Sequence, residues 1–222
     1  MKTRIIMIRH GQSVANFEGR FAGHSDFDLT DLGRKQAGLA AEYLYNSGEK
    51  IDAIYSSDLL RAHNTALPFS IKYGLPINDT TGLREIFAGS WEGMSVDDIY
   101  AQYTDDFTTW RMDIARARCT DGESVTELYN RIVPFVCDLA DKNRGKTLLL
   151  ATHATPVRAI DCFSRGWGAE LIGDVPFARN ASMSIFEYED GVITPIRVDI
   201  VDPLEPELVT AVPKNLDDIT KK

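Results

Sequence analysis

The stretch Ile5-Ile6-Met7-Ile8-Arg9-His10-Gly11-Gln12-Ser13 decides the reading of this chain. Four consecutive apolar residues without alternation are the pattern of a strand buried on both faces, as in a parallel sheet. The run ends at an arginine, a histidine and a glycine, so polar and flexible groups stand at the strand's C-terminal end. The arrangement recurs far along the chain, where the apolar run 147–151 is followed by Thr152-His153. Open α/β sheets bind ligands outside the C-terminal ends of their strands. If the two strands are neighbours, His10 and His153 stand a few ångströms apart. Taken singly, each histidine reads equally well as a polar residue closing a strand.

Working outward, Thr30 is a suitable N-cap for a helix over 31–47, with Gly48 as its stop. Residues 51–55 read as another buried strand, and 59–73 as a helix that Pro68 should kink or split. Ser124-Val125-Thr126-Glu127 is a capping box. It opens a helix whose apolar stripe is Val125, Leu128, Ile132, Val136 and Leu139, with Pro134 inside it. After the strand at 147–151, Thr155 followed by Pro156 predicts a helix start, and Gly166 its end. Asp190-Gly191 between 182–188 and 192–200 predicts a hairpin. Strands alternating with helices predict a three-layer α/β/α sandwich with a mostly parallel central sheet. At 222 residues, without repeats or linkers, the chain reads as a single domain over 1–222, with a polar tail at about 203–222 expected to dock loosely.

Charge narrows the function. A net charge of −9 argues against a nucleic-acid or anionic-membrane partner, so an anionic substrate must be drawn by a local positive cluster. The three cysteines, Cys119, Cys137 and Cys162, are widely spaced, which suits reduced thiols and offers no disulfide framework. The N-terminal apolar run is too short for a signal peptide or a membrane span, and a cytoplasmic protein is expected. Around His10 the residues suit an oxyanion. Arg9 offers a planar fork for two phosphoryl oxygens, Gly11 permits close backbone approach, and Ser13 and Asn16 add a hydroxyl and an amide. Arg61 follows the second strand and is either a solvated helix residue or a second ligand of the same anion.

Arg9-His10-Gly11-Gln12-Ser13-Val14-Ala15-Asn16 resembles the R-H-G-x-[ST]-x-x-N signature of the histidine phosphatase superfamily, the phosphoglycerate-mutase-like group. Further blocks follow in the family's order. They are Leu29-Thr30-Asp31-Leu32-Gly33-Arg34-Lys35-Gln36-Ala37, residues 57–66, Leu83-Arg84-Glu85-Ile86 with Gly89-Ser90-Trp91-Glu92-Gly93, and Thr152-His153 with Arg158. Together they cover about residues 3 to 160. The resemblance implies a phosphatase acting through a phosphohistidine on His10. Arg9, Arg61 and His153 would hold the phosphoryl oxygens, with Gly11, Ser13, Asn16, the Gly23 backbone and Ala154 beside them. Glu85 would be the proton donor, although by itself it reads as a loop carboxylate paired with Arg84. Trp91 and Glu92 would shape the loop. The expected substrate is a small phosphorylated metabolite, with no metal and no cofactor.

Physical chemistry agrees with these roles. A neutral imidazole is a nucleophile near pH 7, and attack on phosphorus needs positioning and charge compensation above all. A metal site is disfavoured, because the sequence has no H-x-x-x-H or H-E-x-x-H pair and arginine stands beside His10. His24 reads as a loop residue at the site's mouth, and His63 as pointing elsewhere. The chain departs from the family pattern at Ala22 and Asn64, where glutamine is usual, at Asp28 for proline, and at Ala154 for glycine. Two alternatives remain. One is a 2,3-bisphosphoglycerate-dependent phosphoglycerate mutase, but such mutases read E-R-x-Y-G after the acid and carry a longer basic insertion. Here Glu85-Ile86-Phe87-Ala88-Gly89 stands instead, only 68 positions separate Glu85 from His153, and residues 97–106 are acidic. The other is a non-catalytic phosphate-binding module, which the presence of both His10 and Glu85 disfavours.

Overall fold

The computed structural model describes residues 1–210. Its elements run β1 (Thr3–Arg9), α1 (Val14–Glu18), α2 (Asp31–Asn46), β2 (Ala53–Ser57), α3 (Leu60–Tyr73), β3 (Ile77–Thr80), α4 (Val96–Gln102), α5 (Thr104–Met112), α6 (Val125–Asp141), β4 (Thr147–Thr152), α7 (Ala154–Ser164), β5 (Met183–Glu189) and β6 (Val192–Ile200). One six-stranded sheet has the order β3-β2-β4-β1-β5-β6. The first four of these are mutually parallel, and β5 and β6 join antiparallel at one edge. The three-layer architecture with a mostly parallel sheet is thus observed.

The unbroken apolar runs are explained by burial on both faces. Ile5, Met7, Leu148 and Leu150 pack with the apolar stripes of α6 and α7. Ile6, Ile8, Leu149 and Ala151 pack with Ala40, Ala41 and Leu44 of α2 and Phe69 of α3. The five stripe residues expected on α6 are all buried, and Ser124 makes the capping box with Glu127. Thr30 accepts from the Gly33 amide at the start of α2. Asp190 and Gly191 both take positive φ, which a two-residue hairpin turn requires.

Several boundaries differ from the sequence reading. Strand β2 runs Ala53–Ser57, and just before it Asp52 donates its amide to the Thr147 carbonyl while its carboxylate accepts the Thr147 amide. Helix α3 runs through Pro68 without splitting, as α6 does through Pro134. His153, not Thr155, is the N-cap of α7, with extended backbone at φ −124°. Pro156 therefore sits in the first turn, where its missing N–H has no intrahelical partner to lose. Elements β3, α1, α4 and α5 had no counterpart in the sequence reading. The tail segment lies within the described residues only to Thr210. Over that length Leu204 is buried, the Leu208 carbonyl accepts from Gln36, and Thr210 donates to Asn180. Residues 211–222 lie outside the described residues. Among the described residues no helix is long and apolar enough to cross a membrane.

Candidate active site

Strands β1 and β4 are hydrogen-bonded neighbours with Arg9 opposite Thr152, so their two following histidines emerge side by side. The imidazole centroids of His10 and His153 are 5.2 Å apart, at an interplanar angle of 64°. Both rings are buried, and they are anchored by opposite nitrogens. His10 Nδ1 lies 2.7 Å from the Gly11 carbonyl. A carbonyl only accepts, so Nδ1 carries the proton and Nε2 keeps a free lone pair. His153 instead places Nε2 2.9 Å from Ser57 Oγ. That hydroxyl also accepts the Leu59 amide. Nδ1 of His153 is buried and has no partner among the described residues.

Two guanidinium groups stand beside the imidazoles. Arg61, buried at 1% exposure, donates Nη1 to the Ser25 carbonyl and Nη2 to the Gly23 carbonyl, at 2.8 and 2.7 Å. The solvated-helix alternative for Arg61 therefore falls. Arg9 donates Nη1 to the Ala178 carbonyl at 2.6 Å, and its Nε has no partner. Burial lowers both arginines to about 10, which leaves them charged at neutral pH. Burial also pushes His10 and His153 well below the ordinary imidazole value, with the charge on Arg61 as the next cause for each. Both imidazoles are neutral at pH 7.

The surrounding groups are held by their backbones. Ser13 caps α1 and accepts the Asn16 amide, while Asn16 Oδ1 accepts the Ser13 amide and Asn180 Nδ2. Because its oxygen is committed, Asn16 has its amide hydrogens to offer. Gly23 has φ +50°, and a Cβ there would lie 2.3 Å from a Glu92 oxygen, which fixes glycine at that turn. Glu92 accepts from the amides of His24, Ser25 and Ala88, so it shapes the loop, as the sequence suggested. Gly11 and Gly33 press their backbones together. A Cβ on Gly11 would meet the Gly33 carbonyl oxygen at 2.4 Å, and one on Gly33 would meet that of Gln12 at 2.1 Å.

Glu85 is not paired with Arg84, which instead forms a fork with Asp58. Its carboxylate accepts the Ile86 amide at 2.9 Å and the Thr155 amide at 3.3 Å. The second bond brings it to the first turn of α7, beside Ala154. Arg9, His10, Ser13, Asn16, Gly23, Arg61, Glu85 and Ala154 all line one cavity. His24 does not line it; the ring nitrogen Nε2 binds the Glu85 carbonyl. His63 pairs with Asp79 outside the site. Two of the departures from the family pattern meet each other, as Asn64 donates to Asp28 at 2.7 Å.

Three contributors were not read from the sequence. Arg131 of α6 donates to the carbonyls of Arg84 and Glu85 and fixes the acid's loop. Asn180 donates to the His10 carbonyl and to Asn16 Oδ1. Phe177 lines the cavity from the loop before β5. Arg131 and Asn180 act on backbone or amide groups across gaps of 46 and 170 positions, and no local pattern marks such bonds.

Comparison with known proteins gives a consistent set of likenesses. The family model described as histidine phosphatase superfamily (branch 1) matches residues 5–200. Phosphoserine phosphatase 1 of Hydrogenobacter thermophilus is 35% identical over 188 residues, which cover 84% of this chain and 87% of that protein. The native structure of mycobacterial glucosyl-3-phosphoglycerate phosphatase superposes with a TM-score of 0.79 at 27% identity, covering 90% of this chain and 99% of the other. Bacillus stearothermophilus YhfR gives a TM-score of 0.86 at 26% identity, covering 91% and 100%.

Proposed function

This chain belongs to the histidine phosphatase superfamily and is a phosphoglycerate-mutase-like hydrolase, and from that premise we propose that it hydrolyses small phosphomonoesters through a phosphohistidine on His10. The observation that carries the reading is the neutral His10 imidazole, held by Nδ1 with its Nε2 lone pair free, among two buried guanidinium groups. Arg9, Arg61 and Asn16, which line the cavity, supply donors for the non-bridging phosphoryl oxygens, with His153 packed against His10. Little covalent work is then asked of the protein beyond alignment and charge compensation.

His10 Nε2 gives its lone pair to phosphorus while the bond from phosphorus to the ester oxygen breaks. The leaving oxygen takes a proton from the Glu85 carboxyl and departs as the alcohol. A water molecule then gives a proton to the Glu85 carboxylate and bonds to phosphorus as the N–P bond breaks. Inorganic phosphate leaves, and His10 is neutral again with Nδ1 still bonded to Gly11. Every group in this cycle belongs to the chain itself, so turnover in EDTA is expected.

The test is a rapid acid-free quench of the enzyme with a ³²P-labelled aryl phosphate, followed by peptide mapping. Label on the peptide containing His10, labile to acid and stable to base, is expected. Turnover by the wild type with a His10→Ala variant that is equally active and equally labelled would overturn the mechanism.

A further inference from the structure

The cavity has a second half, which the phosphoryl chemistry does not use. The whole occupies about 130 Å³ and continues from the phosphoryl end toward α4 and α5. There its wall is formed by Phe21, Val96, Phe107, Trp110 and Phe177. Ala22 and Ala154 complete the lining with methyl groups, at positions where the sequence departs from the family pattern.

This wall is stiff. The Phe21 ring meets Trp91 and Trp110 edge-on, with centroids 5.5 and 5.2 Å apart. Phe107 meets Trp91 at 5.8 Å. Phe177 lies under the buried Arg158 guanidinium, 4.2 Å from its centroid, and Arg158 is itself fixed by a bond to the Gly173 carbonyl. Aromatic rings packed in this way present a preformed surface with little conformational entropy left to lose.

The charges around it are as telling. Among the described residues, the only cation lining the cavity besides Arg9 and Arg61 is Arg20. Its Nε is bonded to Glu18 at 2.7 Å and its Nη1 to the Gly93 carbonyl at 2.9 Å, so its charge is already paired with a carboxylate, while Nη2 is uncommitted. The elements that supply Val96, Phe107 and Trp110 carry Asp97, Asp98, Asp105 and Asp106 on their exposed first turns. A carboxylate or second phosphate on the leaving group would be stripped of water against this apolar wall, where Phe21, Val96, Phe107, Trp110 and Phe177 carry no cation and the Trp110 indole N–H is a neutral donor.

We infer that the leaving group is a neutral, largely apolar alcohol, with aromatic alcohols and phenols favoured over acidic, zwitterionic or sugar-like ones. This rests on the phosphatase reading above and deepens it. It also sets the chain apart from relatives whose names specify phosphoserine or glucosyl-3-phosphoglycerate, both of which carry a carboxylate beyond the phosphoryl group.

The experiment uses the full chain and two phosphate esters whose phenols have matched acidity, 4-ethylphenyl phosphate and 4-(carboxymethyl)phenyl phosphate, with p-nitrophenyl phosphate as a reference. The neutral ester is expected to have a kcat/KM at least about thirtyfold higher, since each buried methylene is worth about fourfold and the carboxylate loses its hydration. Val96→Lys, which puts a cation on the rim, should shift the ratio at least about tenfold toward the carboxylate ester. Phe177→Ala should lower the neutral ester's kcat/KM more than that of p-nitrophenyl phosphate. Equal or better use of the carboxylate ester by the wild type would overturn the inference while leaving the phosphatase reading intact. No turnover of any of the three esters would instead remove the phosphatase reading, and this inference with it.

Discussion

The two ends of one cavity follow opposite designs. At the phosphoryl end His10, His153, Arg61 and Asn16 are tied by some of their polar atoms and leave others uncommitted. His10 is tied through Nδ1, His153 through Nε2, Arg61 through two carbonyls, and Asn16 through its oxygen. At the outer end the side chains are tied only by packing against other rings. Directed bonds fix where a charge develops, which preorganises a site for a transition state. Ring packing fixes only a shape, which selects among ground states and does little to the reaction itself. On the reading proposed above, catalysis and selectivity fall to separate residues, and substitutions should tell them apart.

The largest effect is expected from Arg61→Ala. It removes a buried charge facing the phosphoryl oxygens, and kcat/KM should fall about 10²–10³-fold, the cost of deleting one oxyanion donor. The loss should be uniform across aryl and alkyl esters, neutral or acidic. A loss that varied with the alcohol would break the division between the two ends. Glu85→Gln sharpens it, because that residue stands where the ends meet. Esters of alkyl alcohols should slow by about 10² or more, while p-nitrophenyl phosphate, whose leaving group needs no proton, should slow only severalfold. Equal losses for both would remove Glu85 as the acid.

The smallest effect concerns the pH dependence of stability, and it arises from the two imidazoles at the phosphoryl end. Burial and Arg61 hold His10 and His153 below the ordinary imidazole value near 6.5, so the native state refuses protons that the unfolded chain accepts. Above pH 6.5 neither state binds them and stability is fully present. As pH falls below 6.5 stability should drop, by up to about 1.4 kcal/mol per pH unit for each histidine. Urea unfolding between pH 5 and 7.5 measures this. A double variant with glutamine at both positions should show a shallower slope, and an unchanged slope would refute the assignment.

The same division decides what could be read from sequence. The groups at the phosphoryl end sit next to buried strands, and an apolar run that stops at Arg9-His10 or Thr152-His153 is a local signal. Arg61 and Glu85 needed the additional support of ordered blocks. The outer wall gave no such signal. Val96, Phe107 and Trp110 lie on two short helices whose sequence is mostly polar and acidic, and a helix of two turns hardly establishes a period. The charge of that segment was legible, but the apolar face it turns inward was not. Helix α7 starts two residues earlier than the Thr155-Pro156 pattern suggests, because β4 leads straight into it and leaves His153 as the only residue between. Asn180 and Arg131 escaped for a further reason, since each serves the site by holding someone else's backbone.

The contact between Gly11 and Gly33 sets a boundary on how this molecule can be altered. Neither residue lines the cavity, yet a side chain on Gly11 would strike the Gly33 carbonyl and one on Gly33 the backbone of Gln12. An engineer scanning every position for new selectivity would find this pair as barren as the nucleophile itself. A single methyl group at either would wedge apart the start of α2 and the loop bearing His10. Redesign of the outer wall can proceed ring by ring, while that seam has to be inherited whole.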